Sequence, residues 1–314
     1  MGVYIARRVI LFAPTFILVS VLVFLLVRLI PGNPAYVLLG PNASQAQVDS
    51  VTRSLALDQP LWAQYGVWVG HILHGNFGSS YINDFPVTGL ILQKLPATIE
   101  LAVAAILISV LVAFPLGIAA GLYNGRWIDA LASWYNALAM GIPVFWLGIL
   151  LVLVFSFWLH WAPPSGYVAL DADPAQGLRF LALPATTLGV SLSGIFIRFI
   201  KSSIVEVLEQ DYVRTARAKG LRARAIIGGH VLKNALVPVV TIVGLQFGGI
   251  LGGVVLVETV FGWPGIGSLL VTSILTRDYS VVQAVILLTV VTYMVVNLAT
   301  DIVYAYLNPR VQAV

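Results

Sequence analysis

Among the charge-free stretches of this 314-residue chain, six read as candidate spans: Val9 to Val27, Leu101 to Gly125, Ala130 to Leu170, Phe180 to Ile197, Asn234 to Val257 and Tyr279 to Thr300 contain no Asp, Glu, Lys or Arg. A helix rising 1.5 Å per residue needs about 20 residues, or slightly fewer, to cross a hydrocarbon core of about 30 Å. All six qualify. The third is overlong, and Pro163-Pro164-Ser165-Gly166 removes donors and favours a turn, so that span is expected to end near His160. Charged residues make up only 10% of the chain and its mean hydropathy is +0.95, against about 25% charged residues in soluble domains. The expected fold class is therefore an all-α polytopic membrane protein with six transmembrane helices.

The first window follows Arg7 and Arg8, as in a secretory signal. Its apolar run reaches Ile30, longer than a signal core of about 7–15 residues, and no A-x-A-like site lies in Pro31-Gly-Asn-Pro34. A retained helix over residues 1–31 is expected. The chain has no cysteine, which rules out disulfides and thiolate metal sites and leaves either redox compartment open.

With the N-terminus inside, six crossings place Arg7, Arg8, Arg126, the segment Lys201 to Lys233 and Arg310 on one side. Eleven basic residues then face four on the other side: Arg53, Lys94, Arg179 and Arg277. The positive-inside rule selects both termini in the cytoplasm. Residues 32–95 become an extracytoplasmic insertion, too polar for lipid and too small for a large core of its own. Within it Leu61, Tyr65, Trp68, Val69, Ile72 and Leu73 share a helical face, which suits either a structural cap or a docking surface.

The segment Lys201 to Lys233 carries seven basic and three acidic residues. Asp211 is suited to an N-cap and Gly220 to the left-handed position that ends a helix, leaving about two turns from Tyr212 to Lys219. A helix that short is marginal alone, so it needs packing from its own protein or a partner. A solvated basic loop is the competing reading.

In the fifth span Gly244, Gly248 and Gly252 form GxxxGxxxG, and Gly249 with Gly253 adds a second row. Such faces let two backbones approach closely, whether for packing or for a gate. Asn234, Thr241 and Gln246 are candidates for lining a pathway. Arg28, Glu100 and Arg198 lie near expected span ends, where snorkelling to the headgroups explains them. The four histidines, His71, His74, His160 and His230, show no ligand spacing, so no metal site is expected.

The run Glu209-Gln-Asp-Tyr212, Arg214-Thr-Ala-Arg-Ala-Lys-Gly220 and His230-Val-Leu-Lys-Asn-Ala-Leu-Val-Pro238 resembles the cytoplasmic EAA loop of ABC importer permeases in their dipeptide/oligopeptide branch. Ile30-Pro-Gly-Asn-Pro34, Leu57-Asp-Gln-Pro60, Gly75-Asn-Phe-Gly78, Glu258-Thr-Val-Phe-Gly-Trp-Pro-Gly-Ile-Gly267, Arg277-Asp-Tyr279 and Asn308-Pro-Arg310 resemble that branch in the same order, across essentially the whole chain. Ala216 and Gly220 match the EAA pattern, whereas Arg214 stands where the general pattern has glutamate and Thr215 where it has alanine.

The resemblance implies a type I ABC importer permease: residues 96–307 as the permease core of five helices, 201–233 as its coupling loop and 308–314 as a cytoplasmic tail. Asp211, Tyr212, Arg214, Thr215, Ala216, Arg217, Ala218, Lys219 and Gly220 would form the coupling helix that sits in a cytosolic ATPase. Partners are then a second homologous permease, two ATPase subunits or domains that use ATP and Mg, and an extracytoplasmic solute-binding protein. The place would be a bacterial or archaeal cytoplasmic membrane, with no nucleic acid involved.

The chain itself has no P-loop, because none of Lys94, Lys201, Lys219 and Lys233 follows a glycine. It is not expected to be an enzyme or to bind a cofactor. A secondary transporter is the alternative, yet it would place paired ionisable groups or broken helices at the bilayer midplane, and the span centres are free of charge.

Overall fold

The computed structural model of the protein describes residues 2–28, 44–54 and 58–307, which are helical almost throughout. Among them the only extended pairing is an isolated antiparallel bridge between Ser79 and Pro86. Helix α1 is Gly2–Arg28, and two short helices, α2 (Gln45–Ser54) and α3 (Leu61–Leu73), follow it. Then come α4 (Val87–Leu122), α5 (Trp127–Gly141) and α6 (Val144–Leu151), the last running on as a π-helical segment, Val152–Trp158.

The second half begins with α7 (Pro174–Leu208), where Asp173 caps the free amides of Ala175 and Gln176 at 3.0 and 3.1 Å and Pro174 occupies the first turn. After it come α8 (Asp211–Ala218), α9 (Ala223–Ile226), a π-helical turn Ile227–Leu232, α10 (Lys233–Phe261), α11 (Ile266–Leu275) and α12 (Tyr279–Leu307).

Four helical stretches, Val87–Leu122, Pro174–Leu208, Ala223–Gly244 and Tyr279–Val303, are long and apolar enough to cross a bilayer, and two bent pairs raise the number to as many as six. The first apolar window lies on α1. The second, fourth, fifth and sixth lie on α4, α7, α10 and α12.

The third window is bent, a feature that the sequence reading did not contain. Its halves, Trp127–Gly141 and Val144–Trp158, meet at 103°. The break follows from Pro143: its ring drives Ile142 out of the helical region, to φ −86° and ψ 124°, and it brings no amide to continue the ladder. The end near His160 is as expected, since the helix stops at Trp158 and His160 takes a left-handed φ of 56°.

A second bend, of 80°, separates Gly253–Phe261 from α11. Gly262 ends α10 in the left-handed conformation at φ 60°, and Pro264 blocks continuation. The sequence reading had no helix at α11.

The most extensive packing is α4 on α7. Along α4, Ala97, Leu101, Ala105, Ser109, Ala113, Gly117 and Gly121 recur every fourth residue and are all buried. Small side chains on that stripe bring the backbones together: a Cβ on Gly117 would lie 2.8 Å from the Cβ of Ile200, and one on Gly121 equally close to Ile204. Gly189 of α7 returns the arrangement against Ile108, at 2.7 Å. The core extends from this crossing to α10, and a smaller cluster of Val87, Ile91, Ile266, Val281, Ala284 and Val285 joins the starts of α4, α11 and α12.

Candidate functional site

Helix α8 begins one residue earlier than the cap reading required. Gln210 is extended, at φ −67° and ψ 145°, and its carbonyl accepts from Val213 and Arg214. Asp211 is therefore the first helical residue and not the N-cap, and its carboxylate makes no cap bond. It lies instead in the first turn, 3.6 Å from the Arg214 guanidinium, where negative charge suits the helix dipole. Both side chains are largely in solvent, so the pair adds little stability.

The far end is closed by backbone geometry. Gly220 has φ 75°, its amide donates to Arg217 O at 3.0 Å and the Leu221 amide donates to Ala216 O at 3.3 Å. These two bonds are the Schellman arrangement, which requires a residue free to adopt positive φ.

Two turns cannot hold themselves, and the structure supplies the packing through one face. Val213 is fully buried and Ala216 is 6% exposed; both belong to the core shared by α4, α7 and α10. Asp211, Tyr212, Arg214, Thr215, Arg217, Ala218, Lys219 and Gly220 stay exposed. Ala216 is thus turned into its own chain, and the outward face is made by its neighbours. Nearby, Lys201 of α7 forms an ion pair with Asp129, which also accepts the Gly125 amide at 2.9 Å and so fastens the α4–α5 turn to α7.

Of the fifth-span glycines, Gly244 lies where a Cβ would overlap Thr300 of α12, and Gly253 lies 3.5 Å from Leu188 of α7. The surroundings of Thr241, Gly248, Gly249 and Gly252 fall outside the described part of the structure. Asn234 is exposed and donates its amide to His230 O at 2.7 Å, within its own helix; Gln246 is half-buried.

A polar cluster that the sequence reading missed sits at the other end of the bundle. Glu258 of α10 is fully buried and accepts from the Thr98 hydroxyl at 2.7 Å and from the Ser268 amide at 2.8 Å. Thr98 in turn accepts the Ile266 amide at 2.8 Å, and the Trp263 indole donates to Ala97 O at 2.8 Å. Gly265 and Gly267 leave the room the carboxyl needs, since a Cβ on either would collide with it. The visible signal was a glutamate within a Gly/Pro-rich run at the end of an apolar window.

Glu100, expected at the headgroups, has one carboxyl oxygen buried instead. Tyr167 stacks edge-on to Trp263 at 4.7 Å; burial, reinforced by the Glu100 carboxyl, raises its phenol pKa. Arg198 is exposed, with its guanidinium 5.7 Å from the Phe199 ring centroid.

On the same side, α3 lies on α1. Tyr65 shares a 2.7 Å hydrogen bond with Ser20, and Tyr65 and Trp68 pack on Phe24 at ring distances of 5.4 and 5.6 Å. The apolar stripe of α3 is therefore partly covered, while Leu61 and Leu73 remain exposed. Asp278, nearly buried, accepts from Ser80 and from the Tyr81 amide, clipping the 79–86 loop to the start of α12.

Packed apolar helices with a short helix, closed at its C-terminal end and exposed along one face, describe a polytopic membrane protein that presents that helix outside its spans. Among solved structures, the inward-facing MetNI methionine ABC transporter shares this fold, with a TM-score of 0.57 at 14% identity over 70% of this chain and 96% of that one.

The chain belongs to the binding-protein-dependent transport system inner membrane component family, whose model matches residues 113–313, and the N-terminal model of the same systems matches residues 1–102. It is 40% identical to the glutathione transport system permease protein GsiC of Escherichia coli K12 and of Salmonella typhimurium LT2, over 98% of each chain. It is 39% identical to the probable peptide ABC transporter permease protein y4tP of Sinorhizobium fredii NGR234, over 99% of this chain and all of that one. This is a multi-pass inner-membrane permease of an ABC importer, a non-enzymatic component.

Proposed function

We propose that this permease passes short peptides or glutathione-like solutes from an extracytoplasmic binding protein into the cytoplasm. ATP and Mg are used by two cytosolic ATPase subunits or domains, and a second, different permease completes the pore. The relatives named for glutathione and peptide transport support the solute class. Both termini and α8 face the cytoplasm, on the side richer in Lys and Arg. Residues 32–95 lie outside and receive the binding protein.

The observation that carries the coupling role is the division of α8 into two faces. Val213 and Ala216 anchor it to the permease, while Tyr212, Arg214, Thr215, Ala218 and Lys219 are presented outward. A helix held so, and capped at its end, transmits a push from an ATPase to α7 and α9, on which it packs, instead of absorbing it. Gly244 packs α10 against Thr300 closely enough for it to move with α12.

The test is reconstitution with the candidate second permease, ATPases and binding protein in proteoliposomes. Uptake of labelled glutathione or di- and tripeptides should need all components and ATP. Uptake by this chain alone along an ion gradient would identify a secondary transporter instead.

A further inference from the structure

Beside α8 a hollow of about 370 Å³ opens between the ends of α4 and α7 and the short helix α9. Leu122, Leu208, Leu221 and Ile226 give it apolar side chains, while Arg217, Tyr123 and backbone atoms make nearly half of its accessible lining polar. Ile226 is buried, whereas Tyr123 and Leu221 are each more than two-fifths exposed. The Arg126 guanidinium stands 5.8 Å from the Tyr123 ring centroid. Among the described residues no acidic side chain lines the hollow; Lys219, Arg222 and Arg224 flank its lining residues in the chain, against one carboxylate, Glu209 after Leu208.

A hollow that mixes leucine and isoleucine side chains with a guanidinium fits an apolar side chain that has a carboxylate next to it. Arg217 belongs both to this hollow and to the exposed face of α8, so the two surfaces are continuous. We infer that the ATPase subunit inserts an apolar side chain flanked by an acidic residue into this hollow, in addition to receiving α8. The apolar part covers Leu122, Leu221 and Ile226, and the carboxylate pairs with Arg217 or Arg126. This rests on the coupling reading of α8 and extends the interface from one helix to a two-way contact.

The absence of native cysteine makes the test clean. Leu221→Cys in the hollow and Arg214→Cys on the outward face of α8 are labelled with a maleimide in the purified permease pair, with and without the ATPase subunits. Both should react at least tenfold more slowly in the full complex. Protection of Arg214→Cys with unchanged labelling of Leu221→Cys would keep the coupling reading and overturn the hollow; no protection at either would overturn both. Protection of Leu221→Cys in anionic-lipid nanodiscs lacking the ATPase would assign the hollow to a lipid headgroup, also against the proposal. As a second measurement, Ala223→Trp, outside α8, should fill the hollow and weaken ATPase association at least tenfold at normal membrane levels of the permease. Unchanged association would overturn the proposal.

Discussion

Thr98 of α4 donates its hydroxyl to Glu258 of α10 at 2.7 Å, joining residues 160 positions apart, and the same oxygen accepts the Ile266 amide that opens α11. One hydroxyl thus serves three helices. Thr98→Val keeps the shape but leaves a buried carboxyl oxygen and a backbone amide without this partner. A loss of about 1–3 kcal/mol is expected. It should be read as a lowered unfolding temperature in detergent, with Thr98→Ser close to the parent. Equal stability of the valine variant would remove this contact from the list of what holds α11.

The α4–α7 crossing should be intolerant of side chains where it is tightest. Gly117→Val forces a Cβ to within 2.8 Å of the Ile200 side chain and about the same from its methyl, an overpacking that costs about 1–3 kcal/mol. Gly66 of α3 offers the contrast, with nothing within 4 Å of a new Cβ. Gly66→Ala should stabilise by up to about 1 kcal/mol through helix propensity. Thermal unfolding of both variants, side by side, checks the pair.

Opposite faces of α8 should give opposite phenotypes. Ala216→Glu inserts bulk and charge into a buried position of the permease itself, and lower stability of the isolated chain, by about 1–3 kcal/mol, is expected. Arg214→Glu lies in solvent and should leave that stability within about 0.5 kcal/mol while reducing ATPase association and uptake. Uptake at parental rates with Arg214→Glu would argue against the outward face as the coupling surface.

Sidedness can be read with single cysteines. Labelling of intact cells by a membrane-impermeant maleimide, after outer-envelope permeabilisation if needed, should modify Ser44→Cys and spare Arg222→Cys. The reverse pattern would invert the topology, and an external α8 could never meet a cytosolic ATPase.

The sequence by itself determined the class of solvent, the position of most helices and the place of the exposed basic loop. Those features depend on local hydropathy, charge and caps, and Gly220 shows it well: a positive φ after two helical turns is legible from a glycine at that spacing. Tertiary structure alone decided which residues meet. The 103° break at Pro143 lies inside an uninterrupted apolar window, so hydropathy counted it as one span although the proline was in view. Ala216 looked like a partner contact until burial turned it toward its own core, because the identity of a small apolar residue does not say which neighbour covers it. The every-fourth-residue stripe of α4 was equally visible, but only its contact with Ile200 and Ile204 distinguishes a packed face from one turned to lipid. Glu258 depends most on the fold: a carboxyl at the end of an apolar run is read as interfacial, and only Thr98, distant in sequence, and the bent α11 give it buried partners.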